Sequence, residues 1–178
     1  MPKPRSAPDP EPQSFRDRQR TKVYEAENLV HRIFDRSADF PVVEVAGSRL
    51  TLPIERHFAT LESVQAYADA VLGSAAVQAR WPRACLPVAV RERSGQQQAD
   101  YQRLTAVLAV PLHAGNRAWA LRELVILHEL AHHLAEVEEE AHGPAFTERL
   151  IALTGEIVGE EAGFLLRTTM WDNGVRIG

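Results

Sequence analysis

Two histidines one helical turn apart, with a glutamate directly after the first, form the segment of this sequence with the clearest chemical meaning. The segment is His128-Glu129-Leu130-Ala131-His132, an HExxH pattern inside a stretch whose residues favour a helix. Each residue advances ~100° around a helix and ~1.5 Å along it, so His128 and His132 lie about 40° apart and both imidazoles can reach one ion. The pattern therefore predicts a zinc site on a helix.

Glu129 is expected to act on water and not to bind the metal. Its side chain lies about 100° around the helix from His128, too far to complete the ligand set but well placed to contact a water on the metal. The expected chemistry is hydrolysis of an amide, most simply a peptide bond, in which zinc lowers the pKa of the water and Glu129 is the general base. The alternative is a zinc-stabilised binding or regulatory module without turnover, which would have no need of a base at this position.

A third protein ligand is expected, because such zinc sites combine three side chains with one open position. His142 follows His132 by ten residues and directly precedes Gly143-Pro144, where one helix must have ended and another can begin with proline in its first turn. The positive end of a helix dipole favours neutral imidazole, the form that binds metals. Glu148 and Glu156 are the alternative ligands, although helical spacing suits them equally as exposed charges.

Other polar side chains near the motif are given different roles. His133 lies about 140° around the helix from His128 and is expected to be structural. Residues 138–140 are all glutamate and are expected to form a solvated helix end. Three further side chains stand in segments expected to border the cleft, where they could polarise a substrate carbonyl: Tyr101, His113 and Arg117.

The spacing of apolar residues predicts the elements that must position this site. Helices are expected over residues 20–36, 61–72, 118–137, 144–158 and 160–171, the second capped by Thr60. Strands are expected in two pairs, one around the turn Ala46-Gly47-Ser48 and one formed by residues 86–93 and 103–110, which are joined by a polar segment with a turn at Ser94-Gly95. The pattern predicts an α+β fold with a small, mostly antiparallel sheet packed with the HExxH helix. If strand 103–110 lies at an exposed edge, an extended peptide could add to it.

Length and composition limit the class of protein. The 178 residues suit one domain, expected over residues 15–178, after a flexible tail at residues 1–14 that contains five prolines. One cysteine, Cys85, leaves no disulfide framework, and no apolar run approaches the ~18 residues of a membrane span. We therefore expect a cytoplasmic protein without a membrane partner. A net charge of -4 argues against nucleic acid as a partner and leaves a peptide or protein as the expected substrate.

The segment WALRELVILHELAHHL, followed by HGPAF, resembles SprT-like zincin metallopeptidases. These proteins pair HExxH with a histidine-glycine pair about ten residues later and a following phenylalanine, which here are His142, Gly143 and Phe146. The longer pattern through EEAGFLLRTTMWDNGV is more similar to an actinobacterial family of HExxH metallohydrolases without an assigned activity, over most of the chain after about residue 20.

The resemblance implies a minimal zincin-like fold in which the strand before the active-site helix borders the cleft. It also implies a zinc ion held by His128, His132 and His142, with Glu129 as the base. This chain departs from many SprT-like proteins in lacking their C-terminal cysteine zinc ribbon. The departure and the net negative charge count against a DNA-associated peptidase, which salt-sensitive DNA binding would test.

The choice of third ligand gives a first prediction. Replacing His142 with alanine is expected to weaken zinc binding far more than Glu148→Ala or Glu156→Ala does, because only the histidine is expected to donate to the ion. A competition titration against a chromophoric chelator measures all three variants. The reverse ranking would assign the protein to the glutamate-ligated class.

Overall fold

Helices and two small sheets form the part of the chain that the computed structural model describes, residues 17–93, 98–112, 121–136 and 138–178. The helices are α1 (Arg20–Ser37), α2 (Leu61–Gly73), α3 (Ala75–Arg80), α4 (Glu123–His133), α5 (Pro144–Ile157) and α6 (Glu160–Asp172), with a 3-10 helix at Pro82–Cys85. The strands are β1 (Val42–Val45), β2 (Ser48–Thr51), β3 (Ala89–Glu92), β4 (Asp100–Gln102) and β5 (Val107–Val110). The predicted α+β class is confirmed. The predicted tail and the turn at Ser94-Gly95 lie outside the described residues.

Helix α1 buries one face against α6, as its apolar spacing predicts. The predicted apolar positions at its centre are buried: Val23, Ala26, Val30 and Phe34. Two polar residues on the same face, Glu27 and His31, are buried with them. Because a buried carboxylate is costly without a partner, Glu27 must meet one in the interior.

The first strand pair is the predicted hairpin. Strands β1 and β2 are antiparallel, with Val45 opposite Ser48 across the turn. Both turn residues have positive φ, 48° at Ala46 and 78° at Gly47, as a turn that follows the twist of the strands requires. The second strand ends at Thr51, and Ile54, at 94% exposure, takes no part in it.

Thr60 caps α2 as predicted. The Ser63 backbone N–H donates to Thr60 Oγ1 at 3.1 Å, and the Thr60 backbone N–H donates to Ser63 Oγ at 3.3 Å. This reciprocal pair satisfies two donors that the start of a helix leaves without intrahelical partners.

The second sheet differs from the prediction, because it has three strands in the order β3-β5-β4. Part of the predicted polar connection forms β4, which pairs antiparallel with β5, while β3 and β5 are parallel. The hypothesis that β5 lies at an exposed edge is wrong, since β5 is central and its residues Leu108, Ala109 and Val110 are fully buried. The edge strand beside α4 is β4.

Helix α4 carries the HExxH pattern and is shorter than the predicted 118–137, of which residues 118–120 and 137 lie outside the described residues. Its start is set by Glu55, whose carboxylate accepts hydrogen bonds from the Leu124 backbone N–H at 3.2 Å and from Arg122 Nε at 2.9 Å. Its end follows His133, because the Ala135 N–H bonds to the His132 carbonyl at 3.3 Å and the chain turns away. Apolar spacing cannot show a cap supplied by so distant a residue.

Helices α5 and α6 agree closely with the predicted ranges and cross at two glycines. A Cβ atom on Gly163 would lie 2.8 Å from the Cα atom of Gly155, so the crossing requires glycine there. Through this contact α6 joins α5 to α1. Within the described ranges no helix is both long and apolar enough to span a lipid bilayer.

The crossing predicts a large effect for Gly163→Ala. The added methyl group meets backbone and not a flexible side chain, so we expect the free energy of unfolding to fall by about 1–3 kcal/mol despite alanine's higher helix propensity. Gly73→Ala is the control, because its Cβ meets nothing within 4 Å at the end of α2. Urea unfolding at matched zinc content measures both variants. Equal stability of the two would contradict the close packing described here.

Candidate metal centre

Three imidazoles meet where α4 passes the segment that leads into α5. Nε2 of His128 lies 3.2 Å from Nε2 of His132 and 3.2 Å from Nε2 of His142. The candidate ligand atoms of the three side chains all lie within 4.8 Å of one another. His128 and His142 are buried and His132 is half-buried. The structure therefore brings together the three residues predicted to bind metal.

The geometry and the hydrogen bonding of these imidazoles both suit a metal ion. Tetrahedral zinc with Zn–N bonds of about 2.0–2.1 Å places neighbouring nitrogens about 3.3 Å apart, close to the 3.2 Å separations here. Nδ1 of His128 faces Glu27 and Nδ1 of His142 faces Asp17. A carboxylate only accepts, so each Nδ1 carries a proton, and this leaves Nε2 as the atom that can present a lone pair to an ion. A cation bound between the three Nε2 atoms would satisfy their lone pairs together.

The two carboxylates behind the rings form the support that metal-binding histidines commonly have. Glu27 Oε1 lies 2.8 Å from His128 Nδ1, and Asp17 Oδ2 lies 2.6 Å from His142 Nδ1. Such bonds fix the tautomer and the orientation of the ring. Sequence reasoning missed both residues. The signal for Glu27 was its place on the apolar face of α1, while nothing in the sequence distinguishes Asp17.

Burial and mutual repulsion determine the charge of the three histidines. Burial opposes protonation of His128, but the charge and hydrogen bond of Glu27 outweigh it and raise the pKa to about 8. Burial lowers the pKa of His132 well below its usual value, and the neighbouring His128 and His142 lower it further. The pKa of His142 is lowered by burial and by His128, against the opposing effect of Asp17. Two of the three imidazoles are thus held in the neutral, coordinating form.

Aromatic side chains pack against the imidazoles from two elements. Phe146 of α5 is fully buried, and its ring centroid lies 4.9, 4.3 and 5.0 Å from those of His128, His132 and His142. The Tyr24 ring of α1 lies 5.4 Å from His128 and 5.3 Å from His142. Phe146 is the phenylalanine that the resemblance singled out, whereas Tyr24 was missed. Together they restrict the rotation of the imidazoles.

Glu129 lies beside this cluster at a small cleft that is open to solvent. The cleft is also lined by Tyr24, Glu27, Val125 and His128. Glu129 is only 6% exposed, and this burial, with the charges of Asp100 and Glu27, raises its pKa to about 7, while His128 and a hydrogen bond from the Tyr101 backbone oppose the shift. The predicted base is therefore next to the candidate ligand His128 and lines a cleft that is open to solvent.

The structural role predicted for His133 agrees with its position. The ring is fully buried, with Nε2 2.9 Å from the Leu86 carbonyl and Nδ1 2.9 Å from the Tyr101 hydroxyl. A carbonyl only accepts, so Nε2 carries the proton and Nδ1 accepts from the tyrosine. Tyr101, one predicted candidate for polarising a carbonyl, thus has its hydroxyl engaged by His133. The other two candidates, His113 and Arg117, lie outside the described residues.

The alternative glutamate ligands lie elsewhere. Glu148 forms an ion pair with Arg167 at 2.8 Å, and Glu156 is exposed on α5. Within the described ranges, neither belongs to the cluster of possible metal ligands.

The predicted solvated helix end at residues 138–140 is also incorrect. These residues follow α4 without continuing it. Glu139 pairs with Arg149 of α5, and Glu140 accepts a hydrogen bond from the Arg18 backbone N–H at 2.7 Å. Both carboxylates are partly buried because they hold the chain that leads to His142.

Gln19 connects the segment around His142 to residues close to the end of the sequence. Its Nε2 donates to the His142 carbonyl at 2.7 Å and to the Arg176 carbonyl at 3.0 Å, and its Oε1 accepts from the Arg176 backbone N–H at 3.0 Å. Thr147 Oγ1 also donates to the Arg176 carbonyl, at 3.0 Å. Gln19 therefore ties the backbone of the third histidine to the segment around Arg176.

Comparison of the chain with protein-family models, with curated proteins and with solved structures finds no match.

The bond between Glu27 and His128 predicts a change in metal affinity for Glu27→Gln. Glutamine keeps the size and an acceptor oxygen but removes the charge behind the ring, and loss of such a support typically weakens metal binding by about 10- to 100-fold. Glu25→Gln is the matched control, because Glu25 is exposed on the same helix. A chelator competition titration gives the zinc dissociation constants. Equal affinity in the two variants would show that Glu27 does not support the ligand.

Proposed function

We propose that this protein is a zinc-dependent hydrolase that cleaves amide bonds, most simply peptide bonds, with Glu129 as general base. The observation that carries the proposal is the convergence of three imidazole Nε2 atoms beside a buried carboxylate at an open cleft. A structural zinc site is typically closed by four protein ligands, whereas a catalytic site keeps a position for water. Three histidines with an adjacent carboxylate favour the catalytic type.

His128, His132 and His142 would hold the zinc ion. When bound there, the ion would supply a Lewis acid that polarises a carbonyl and makes water a nucleophile at neutral pH. Glu27 and Asp17 keep two of the rings oriented toward it. Phe146 of α5 packs against the three imidazoles, and this contact restricts the access of water to them from that side.

Glu129 is supported as the proton-transfer group by its position. It follows His128 directly on α4 and lines the same cleft. In this role its carboxylate accepts a proton from the attacking water and then donates that proton to the nitrogen of the departing amine. The backbone of Tyr101 in β4 lies close to this carboxylate and opposes the rise of its pKa.

An extended peptide is the substrate that the neighbouring sheet best accommodates. Strand β4 is an edge strand that lies against α4, and its residue Tyr101 contacts Glu129. An edge strand can pair with an added strand through backbone hydrogen bonds, which recognise peptide and not sugar or nucleotide. A peptide paired with β4 in this way would run beside Glu129, which would act at the scissile bond.

Glu129→Gln tests the proposed chemistry. Glutamine is nearly isosteric, so zinc content, expected at about one ion per chain, and melting temperature should remain close to those of the wild type. It cannot accept a proton at neutral pH, and loss of a positioned general base typically costs about 10² to 10⁴ in rate. Cleavage profiling of a peptide library, with and without chelator, identifies a substrate for measuring kcat/KM at matched zinc occupancy.

Glu136→Gln is the control, because Glu136 is an exposed glutamate just after α4 and should leave cleavage unchanged. Protein without zinc that gives no thermal shift on zinc addition would overturn the metal centre. Zinc-bound protein in which Glu129→Gln cleaves as fast as the wild type would overturn Glu129 as the base. Zinc-bound wild type that cleaves nothing would replace the enzyme with a zinc-stabilised binding module.

A further inference from the structure

Tyr24 lies at the metal centre although nothing in the HExxH pattern refers to it. Its ring stacks on His128 with an interplanar angle of 28° and lies 5.3 Å from the His142 ring. The side chain is half-buried and lines the cleft together with Glu129. Tyr24 thus contacts two candidate ligands and shares the space that a substrate must enter.

Charged side chains surround Tyr24. Glu27 and Glu129 line the same cleft, and the Arg20 guanidinium carbon lies 5.6 Å from the centre of the tyrosine ring. A phenol has one O–H donor, and a guanidinium, which only donates, cannot accept that proton.

We propose that Tyr24 donates a hydrogen bond to the carbonyl oxygen of the substrate as that oxygen gains negative charge, with Arg20 polarising the phenol. This inference rests on the proposed hydrolytic function and assigns it a second catalytic residue. The carbonyl carbon is attacked by water whose proton goes to Glu129, so negative charge grows on an oxygen within the same cleft. Tyr24 is the phenol that lines this cleft, whereas the hydroxyl of Tyr101 is engaged by His133.

The stacking of Tyr24 supports this role because a donor stabilises a transition state best when it is already oriented. Contacts with His128 and His142 restrict the ring before a substrate arrives. A donor held in this way loses little orientational freedom in the reaction, and it acts in a partly desolvated site where hydrogen bonds to charged oxygens are strong. Phenylalanine would keep the ring contacts and remove only the hydroxyl.

Binding of acetohydroxamate to the zinc-loaded full-length protein tests the inference without measuring turnover. Its two oxygens stand in for the substrate carbonyl oxygen and the attacking water. Isothermal titration should give a dissociation constant about 10- to 100-fold higher for Tyr24→Phe than for the wild type, the factor expected for one hydrogen bond to a charged oxygen. Zinc affinity should not change, because the ring that stacks on His128 is retained.

Tyr67→Phe is the matched control. Its hydroxyl donates to Glu123 at 2.7 Å at the start of α4, so its removal should lower stability and leave hydroxamate affinity unchanged. With a substrate in hand, Tyr24→Phe should lower kcat with little change in KM. Wild-type protein that binds no hydroxamate when zinc-loaded would overturn the proposed function and this inference together. If the wild type binds hydroxamate and Tyr24→Phe binds it equally tightly, or if Tyr24→Phe loses zinc, only the role of Tyr24 is overturned.

Discussion

The hydrogen bond between Glu27 and His128 is the contact on which the arrangement of the other elements depends. It joins α1 to α4 inside the protein, where an unpaired carboxylate would cost several kcal/mol. The pairing fixes the distance between α1 and α4 at this point. That placement brings Tyr24 over the imidazoles and sets Asp17, just before α1, beside His142. One buried pair therefore positions residues on both sides of the proposed zinc ion.

Helix α4 is held independently at its two ends. At the start, Glu55 binds Arg122 and the Leu124 backbone N–H. At the end, His133 connects the helix to β4 and to the chain before β3. A helix anchored in this way keeps the two HExxH histidines at a fixed separation. The candidate ligand set is consequently organised by the protein itself, which would reduce the conformational entropy lost on binding an ion.

The candidate site was more predictable from the sequence than the contacts around it. The HExxH spacing depends only on helix geometry, and the proline after Gly143 indicates where the chain must turn, so the three histidines could be identified. The role of Glu27 was not predicted, because an analysis of apolar spacing ignores a single carboxylate on a buried helix face. Such a carboxylate indicates a buried polar partner.

Elements set by distant contacts were less predictable. Strand β4 has three residues and no clear alternation, and it forms because β5 offers an edge beside α4. The limits of α4 depend on a carboxylate from a distant segment, Glu55. The helices and the first hairpin were predicted well because their signals are local, namely apolar spacing, the cap at Thr60 and the turn at Ala46-Gly47.

The bridge that Gln19 makes between His142 and Arg176 couples the candidate metal centre to the segment after α6. The Gln19 amide holds the His142 carbonyl, and the backbone of Arg176 holds that amide through two hydrogen bonds. A chain shortened before Arg176 would contain all three imidazoles but lack this part of the restraint. The position of the third imidazole therefore depends on how the segment after α6 packs against the start of α1.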